Sequence, residues 1–140
     1  MALVLDAGAL YAQADRSDPG HRAVVEILAA ERGPLATTEL AVAEADYLIL
    51  DRLGVDVEFA FLEDLASGTF VVECLTRAEL RTALELARRH RDLTLGLADV
   101  SLVLLARRLR TRRLVTFDER AFRTLTPLQG GSFVLLPADV

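Results

Sequence analysis

The sequence predicts an α/β fold, a three-layer α/β/α sandwich around a central parallel sheet of four to five strands. Three observations predict it. Short apolar runs alternate with helical segments in the order β-α-α-β-α-α-β-α-α-β-α-β. Turn and cap residues punctuate nearly every boundary. One helical segment is apolar on almost every side, which requires a core thick enough to surround it. At 140 residues with 52% hydrophobic content, residues 1–140 read as a single domain able to bury a sizeable core.

Residues 2–5 (ALVL) end abruptly at Asp6, as a strand buried on both faces does. A short helix follows over 7–14. Ser17-Asp18-Pro19-Gly20 is a loop and cap signal for a helix over 20–32, with Val24, Ile27 and Leu28 inward. Gly33-Pro34 breaks that helix, and 35–37 is a minimal second strand. Thr37 or Thr38 caps a long helix reaching Leu53. Gly54 separates it from a helix over 55–66; Gly68 stops that one, and 69–73 is strand-like. Thr76 with Glu79 is a capping box for a helix over 77–91. Residues 97–109 form the nearly all-apolar helix. A strand over 113–117, a short helix over 119–125, the Gly130-Gly131 turn and a strand over 133–136 complete the chain. Tyr11, Phe59, Phe61 and Phe70 read as core, and Cys74 as a small buried residue.

Composition excludes several chemistries. All 16 basic residues are arginine, so Walker phosphate binding, Schiff-base chemistry and the kinase lysine are out. Asparagine is absent too, which removes Cys-His-Asn catalysis. A lone cysteine allows neither an internal disulfide nor a cysteine metal cluster, and fits a reducing cytosol. The N-terminal MALVLDAG has no basic region and no long apolar run, so no signal peptide is expected. No apolar run approaches about 18 residues, so no membrane span is expected and a cytoplasmic location is. His21 and His90 lack HExxH-type spacing and read as surface residues. Ser101 has no GxSxG around it. Aromatic content of 6% does not indicate a base-stacking platform.

Charge is unevenly placed. The net charge is −5, yet residues 77–123 hold 12 of the 16 arginines and a net +6, leaving −11 elsewhere. Such a segment suits a phosphate backbone. The structural alternative is a set of solvated helix ends favoured by the helix dipole. Arg120 and Arg123, close behind Asp118, are the candidates for contacting substrate phosphates.

Four carboxylates stand out. Asp6 and Asp118 follow strands one and four, where parallel α/β folds place their sites; helix N-capping is the structural alternative for both. Glu44 lies inside the long helix and shares a face with Leu40, Tyr47 and Leu48; its alternative is a face-edge glutamate reaching water. Asp99 sits in the first turn of the most apolar helix, where a buried charge needs a partner, a metal or a shifted pKa; helix-dipole stabilisation is its alternative. If strands one and four are neighbours, all four acids converge at the C-terminal edge of the sheet. Carboxylates so close repel unless a cation is present, and an all-oxygen donor set suits Mg²⁺ or Mn²⁺. Such a site can activate water and stabilise both oxygens of an in-line phosphoryl displacement.

The pieces VLDAGAL, TTELAVAEADYLI, LTLGLADVSLVLLA and LVTFDERAF, in this order and spacing, resemble the PIN domain, and within it the VapC-type toxin ribonucleases of bacterial toxin–antitoxin modules. The resemblance covers essentially the whole chain. It implies that Asp6, Glu44, Asp99 and Asp118 are the catalytic and metal-binding quartet. It further implies Mg²⁺-dependent endoribonuclease action on a structured RNA (a transfer RNA or a ribosomal RNA hairpin), a homodimer and a cognate antitoxin. Such proteins often carry a hydroxyl residue just after the first aspartate. Here Ala7 and Gly8 follow Asp6, so that role is missing or served by another group, with Thr116 the candidate.

Three other readings compete. A phospho-receiver and a dehalogenase-like phosphatase both use aspartates at strand ends, but both want a lysine, and the second wants a DxD pair where this chain reads Asp6-Ala7-Gly8. A PIN domain that binds RNA or a partner without cutting stays open.

Overall fold

A computed structural model describes residues 1–139. Five strands, β1 (Leu3–Leu5), β2 (Leu35–Thr38), β3 (Val71–Glu73), β4 (Arg113–Val115) and β5 (Val134–Leu136), form one parallel sheet in the order β3-β2-β1-β4-β5. The flanking helices are α1 (Ala7–Ala14), α2 (His21–Ala30), α3 (Glu39–Leu53), α4 (Val55–Ala66), α5 (Arg77–Arg89), α6 (Leu97–Arg108) and α7 (Glu119–Thr124). The α/β alternation is the expected one. Helix α5 stops at Arg89, and a 3-10 turn over Arg91–Leu93 leads into α6.

The core explains the order. All three residues of β1 are buried, as expected for the central strand, and α6 is buried without a break from Val100 to Ala106. Helix α6 packs against β1, β2, α3 and α5. Helices α1 and α3 pack on each other with Ala7, Ala9, Ala12, Ala41 and Ala45 buried; small side chains let helices approach closely. The capping box at Thr76 and Glu79 is present in both directions, at 3.1 and 2.9 Å.

Two expected core residues lie outside it. Phe59 is 58% exposed, because Phe61 is the one residue α4 buries fully and Phe59 lies on another side of that helix. Cys74 is exposed, since it follows edge strand β3. Tyr11, Phe61 and Phe70 are buried as expected. No helix among the described residues is long and apolar enough to cross a membrane.

The sheet order also positions the site. The chain builds β1, β2 and β3 in one direction, then returns to place β4 on the other side of β1. This reversal is a topological switch point, and it opens a crevice at the carboxyl ends of β1 and β4. A flavodoxin-like receiver would run 2-1-3-4-5 instead.

Candidate active site

Register brings the first two acids together. Leu5 pairs with Val115, so the next residues, Asp6 and Thr116, leave the sheet side by side. The Asp6 N–H still reaches the Val115 carbonyl at 3.2 Å. Asp6 Oδ1 accepts the Ala9 N–H at 2.7 Å and so caps α1, while Oδ2 accepts the Thr116 hydroxyl. Thr116 Oγ1 in turn accepts the Asp118 N–H at 2.9 Å. Asp118 Oδ1 accepts the Ala121 N–H at 3.1 Å and caps α7. Capping therefore describes Asp6 and Asp118 correctly, and the Asp118 charge is felt by both Asp6 and Asp99.

Asp99 lies in the first turn of α6, whose N-cap Gly96 has no side chain to offer. The start of α6 is held by hydroxyls instead. Ser101 Oγ donates to the Ala98 carbonyl at 2.6 Å and meets Thr38 Oγ1 at 2.7 Å, and Thr37 Oγ1 donates to the Leu5 carbonyl at 2.9 Å. Ser101 and Thr38 thus tie the turn carrying Asp99 to the end of β2. This is the role of the one hydroxyl in the apolar helix, and it is structural.

Glu44 is exposed rather than set in an apolar face. The buried side of α3 carries Ala41, Ala45 and Ile49, while Tyr47, which shares the Glu44 face, is 69% exposed, so Glu44 is the glutamate reaching water that its structural alternative describes.

Electrostatics couple the four. Burial pushes the Asp6 carboxyl up to about 7, against the lowering pull of the Thr116 and Ala9 hydrogen bonds, and the charges of Asp99 and Asp118 raise it further. Burial, then Asp118 and Glu44, push half-buried Asp99 up to about 6. Asp6, Asp99 and Asp118 share one field, with Glu44 joining through Asp99. Among the described residues, no three His, Cys, Asp or Glu side chains stand close enough to hold a metal ion as placed. The donor chemistry nonetheless fits a hard divalent cation. The set is all oxygen, and its two least exposed members resist ionisation.

A cavity of about 80 Å³ lies between Asp99 and Asp118, with Leu93, Leu95 and Arg120 in its wall. Arg120 is therefore beside the acids. Arg123 instead pairs with Asp139 at 2.5 Å and Glu119 at 3.3 Å. Other arginines of the basic segment also have protein partners: Arg108 holds Glu73 and Glu79, Arg112 holds the Gly130 carbonyl, and Arg113 holds Glu31. Of these three only Arg108 ends a helix, and all three are held by protein partners rather than left to solvent. A larger hollow of about 430 Å³, lined by Asp15, Arg16, Leu53 and Val57 among others, contains none of the four acids.

A parallel sheet with acids at its switch point defines an α/β protein with an acidic site. The chain belongs to the PIN domain family, whose model matches residues 3–126. It is 38% identical over 135 residues to Ribonuclease VapC26 of Mycobacterium tuberculosis strain H37Rv, covering 96% of this chain and all of that protein. Among solved structures it is similar to VapC20 of Mycobacterium tuberculosis, described as a Sarcin-Ricin loop cleaving toxin. There the TM-score is 0.77 at 19% identity, over 84% of this chain and 90% of that one. It is also similar to VapBC2 of Rickettsia felis, solved bound to a DNA fragment from its promoter. That match has a TM-score of 0.68 at 15% identity, over 96% of this chain and 97% of that one.

The resemblance in sequence to the PIN domain is thus confirmed, and with it the α/β fold. The hydroxyl missing after Asp6 has a counterpart in Thr116, which the strand register delivers from β4.

Proposed function

We propose that this chain is a metal-dependent endoribonuclease, the toxin of a type II toxin–antitoxin module, and that it hydrolyses phosphodiester bonds in structured RNA to stop translation. The observation that carries this reading is the meeting of acids at the switch point, where Asp6 and Asp118 share the Thr116 hydroxyl and where burial first, and the charge of Asp118 after it, raise both Asp6 and Asp99. A protein gains nothing in stability from such repulsion; a cation and an anionic substrate relieve it. The 38% identity to a ribonuclease over 96% of this chain supports the same reading.

In this account Asp6, Asp99, Glu44 and Asp118 would hold Mg²⁺ or Mn²⁺. The ion, when bound, makes water a stronger nucleophile and offsets charge on the phosphate. Thr116 fixes the Asp6 carboxylate. Arg120 holds a substrate phosphate beside the acids, and Arg123 braces the start of α7 through Glu119 and Asp139. The substrate is a transfer RNA or a ribosomal RNA hairpin, recognised by shape and by loop contacts. The working place is the cytoplasm, with the whole of 1–140 acting as one nuclease domain.

A homodimer and a cognate antitoxin complete the proposal. Exposed Tyr47 and Leu50 on α3, and Phe59 and Leu62 on α4, supply apolar surface of the kind partners cover.

One observation favours a second reading, a PIN-like protein that binds RNA or a partner without cutting: the acids as placed form no closed cage. A cleavage assay on total RNA with and without Mg²⁺ decides between them. Metal-dependent cuts that disappear in Asp99→Asn support the nuclease, and binding with no cuts at any metal concentration supports the alternative.

A further inference from the structure

Phe117 stands between Thr116 and Asp118, just beyond β4. Both neighbours are fixed, Thr116 by its bond to Asp6 and Asp118 by the Thr116 hydroxyl and its cap on α7. The residue is nevertheless 46% exposed. It rests over Gly20, at the start of α2. A Cβ at Gly20 would lie 2.3 Å from the Phe117 Cζ and under 3 Å from both ring Cε atoms. Gly20 has φ −89°, which any residue adopts, so its backbone conformation does not call for glycine. The space occupied by the ring does.

We infer that Phe117 is a substrate-positioning residue, a platform on which one nucleobase beside the scissile phosphate stacks. The inference rests on the ribonuclease reading. Its chemistry follows from the surroundings. Four carboxylates at this edge repel an RNA backbone, so a neutral contact adds affinity there without adding charge. Every base offers a π-face, and an aromatic ring takes it without choosing the base by hydrogen bonding. A single ring held at the acid edge serves a single base, so low aromatic content overall does not oppose it.

The test uses a short oligoribonucleotide carrying 2-aminopurine, whose fluorescence is quenched on stacking, bound to the full chain in an Asp99→Asn background that leaves it uncut. Phe117→Ala and Phe117→Leu are expected to weaken binding about tenfold or more and to abolish the quench, while Phe117→Trp keeps both. Gly20→Ala, which displaces the ring and touches none of the four site acids, is expected to follow Phe117→Ala. Cleavage by the same variants with Asp99 intact is expected to suffer in KM more than in kcat. If Phe117→Leu binds and quenches like the parent, the ring merely fills its seat on Gly20 and the inference is overturned; the leucine and tryptophan variants decide this even where alanine disturbs folding. Unchanged RNA affinity in every variant, with a protein partner lost instead, overturns it as well. Failure of the ribonuclease reading looks different: the unsubstituted chain then cuts no RNA.

Discussion

Thr116 donates its hydroxyl proton to Asp6 Oδ2 across the junction of β1 and β4, and the same oxygen accepts the Asp118 N–H at 2.9 Å. One side chain therefore sets the positions of two acids that lie 112 residues apart in the chain. Thr116→Val keeps the shape and removes both bonds. It is expected to lower kcat at least tenfold and to lower stability by about 1–2 kcal/mol, because Asp6 loses a donor and the Asp118 N–H an acceptor. Thr116→Ser is expected to restore most of both. Equal activity for valine and serine in a steady-state cleavage assay would show that the hydroxyl does not position the acids.

The raised carboxylates make metal-free stability depend on pH. Asp6, at about 7, and Asp99, at about 6, bind protons more tightly folded than at the ordinary 3.8 of an unfolded aspartate. Their folded forms are thus favoured at low pH, and that stability is lost as pH rises from about 4 through 6 to 7. Thermal melts in chelator are expected to show Tm falling between pH 5 and pH 8. Asp99→Asn is expected to flatten that fall and to raise Tm at pH 8 by on the order of 5 °C. A variant with the same pH slope as the parent counts against a raised Asp99 carboxyl.

Adding a divalent cation reverses the effect. At pH 8, millimolar Mn²⁺ or Mg²⁺ is expected to raise the Tm of the unsubstituted chain, since a ligand binding only the folded state stabilises it by mass action. The rise should shrink sharply in Asp6→Ala and Asp99→Asn. Identical rises in all three proteins would place the bound ion elsewhere.

Arg120 and Arg123 separate by their partners. Arg120 lines the cavity with Asp99 and Asp118, whereas Arg123 pairs with Glu119 and Asp139. Arg120→Ala is expected to weaken RNA binding and to reduce the salt slope by about one, the signature of one lost phosphate contact. Arg123→Ala is expected to change the slope less and Tm more. Salt titrations giving the reverse order would exchange their roles.

Much of this was legible in the residues because the signals were local. The run ALVL ending at Asp6, the breaks at Gly33-Pro34 and Gly54, and the reciprocal Thr76–Glu79 cap each act within a few positions. Asp6, Asp99 and Asp118 were legible for the same reason: each follows a strand or begins a helix. What depended on pairing across the chain was not. That β1 and β4 are neighbours stood only as a condition, and the sheet supplies it. Phe59 and Cys74 read as covered and are exposed, because apolar character marks a face without saying whether the chain's own core covers it. Gly20 read as a cap signal, and only the ring above it reveals why glycine stands there.

The central claim is that the acids at the switch point cut RNA, and mapping RNA ends after induced expression tests it most directly. Cells expressing the unsubstituted chain are expected to accumulate new ends at one or a few discrete positions in a transfer RNA or ribosomal RNA hairpin. Cells expressing Asp99→Asn at equal folded abundance are expected to show none. New ends that persist unchanged in Asp99→Asn, or that are absent from both, would contradict the account.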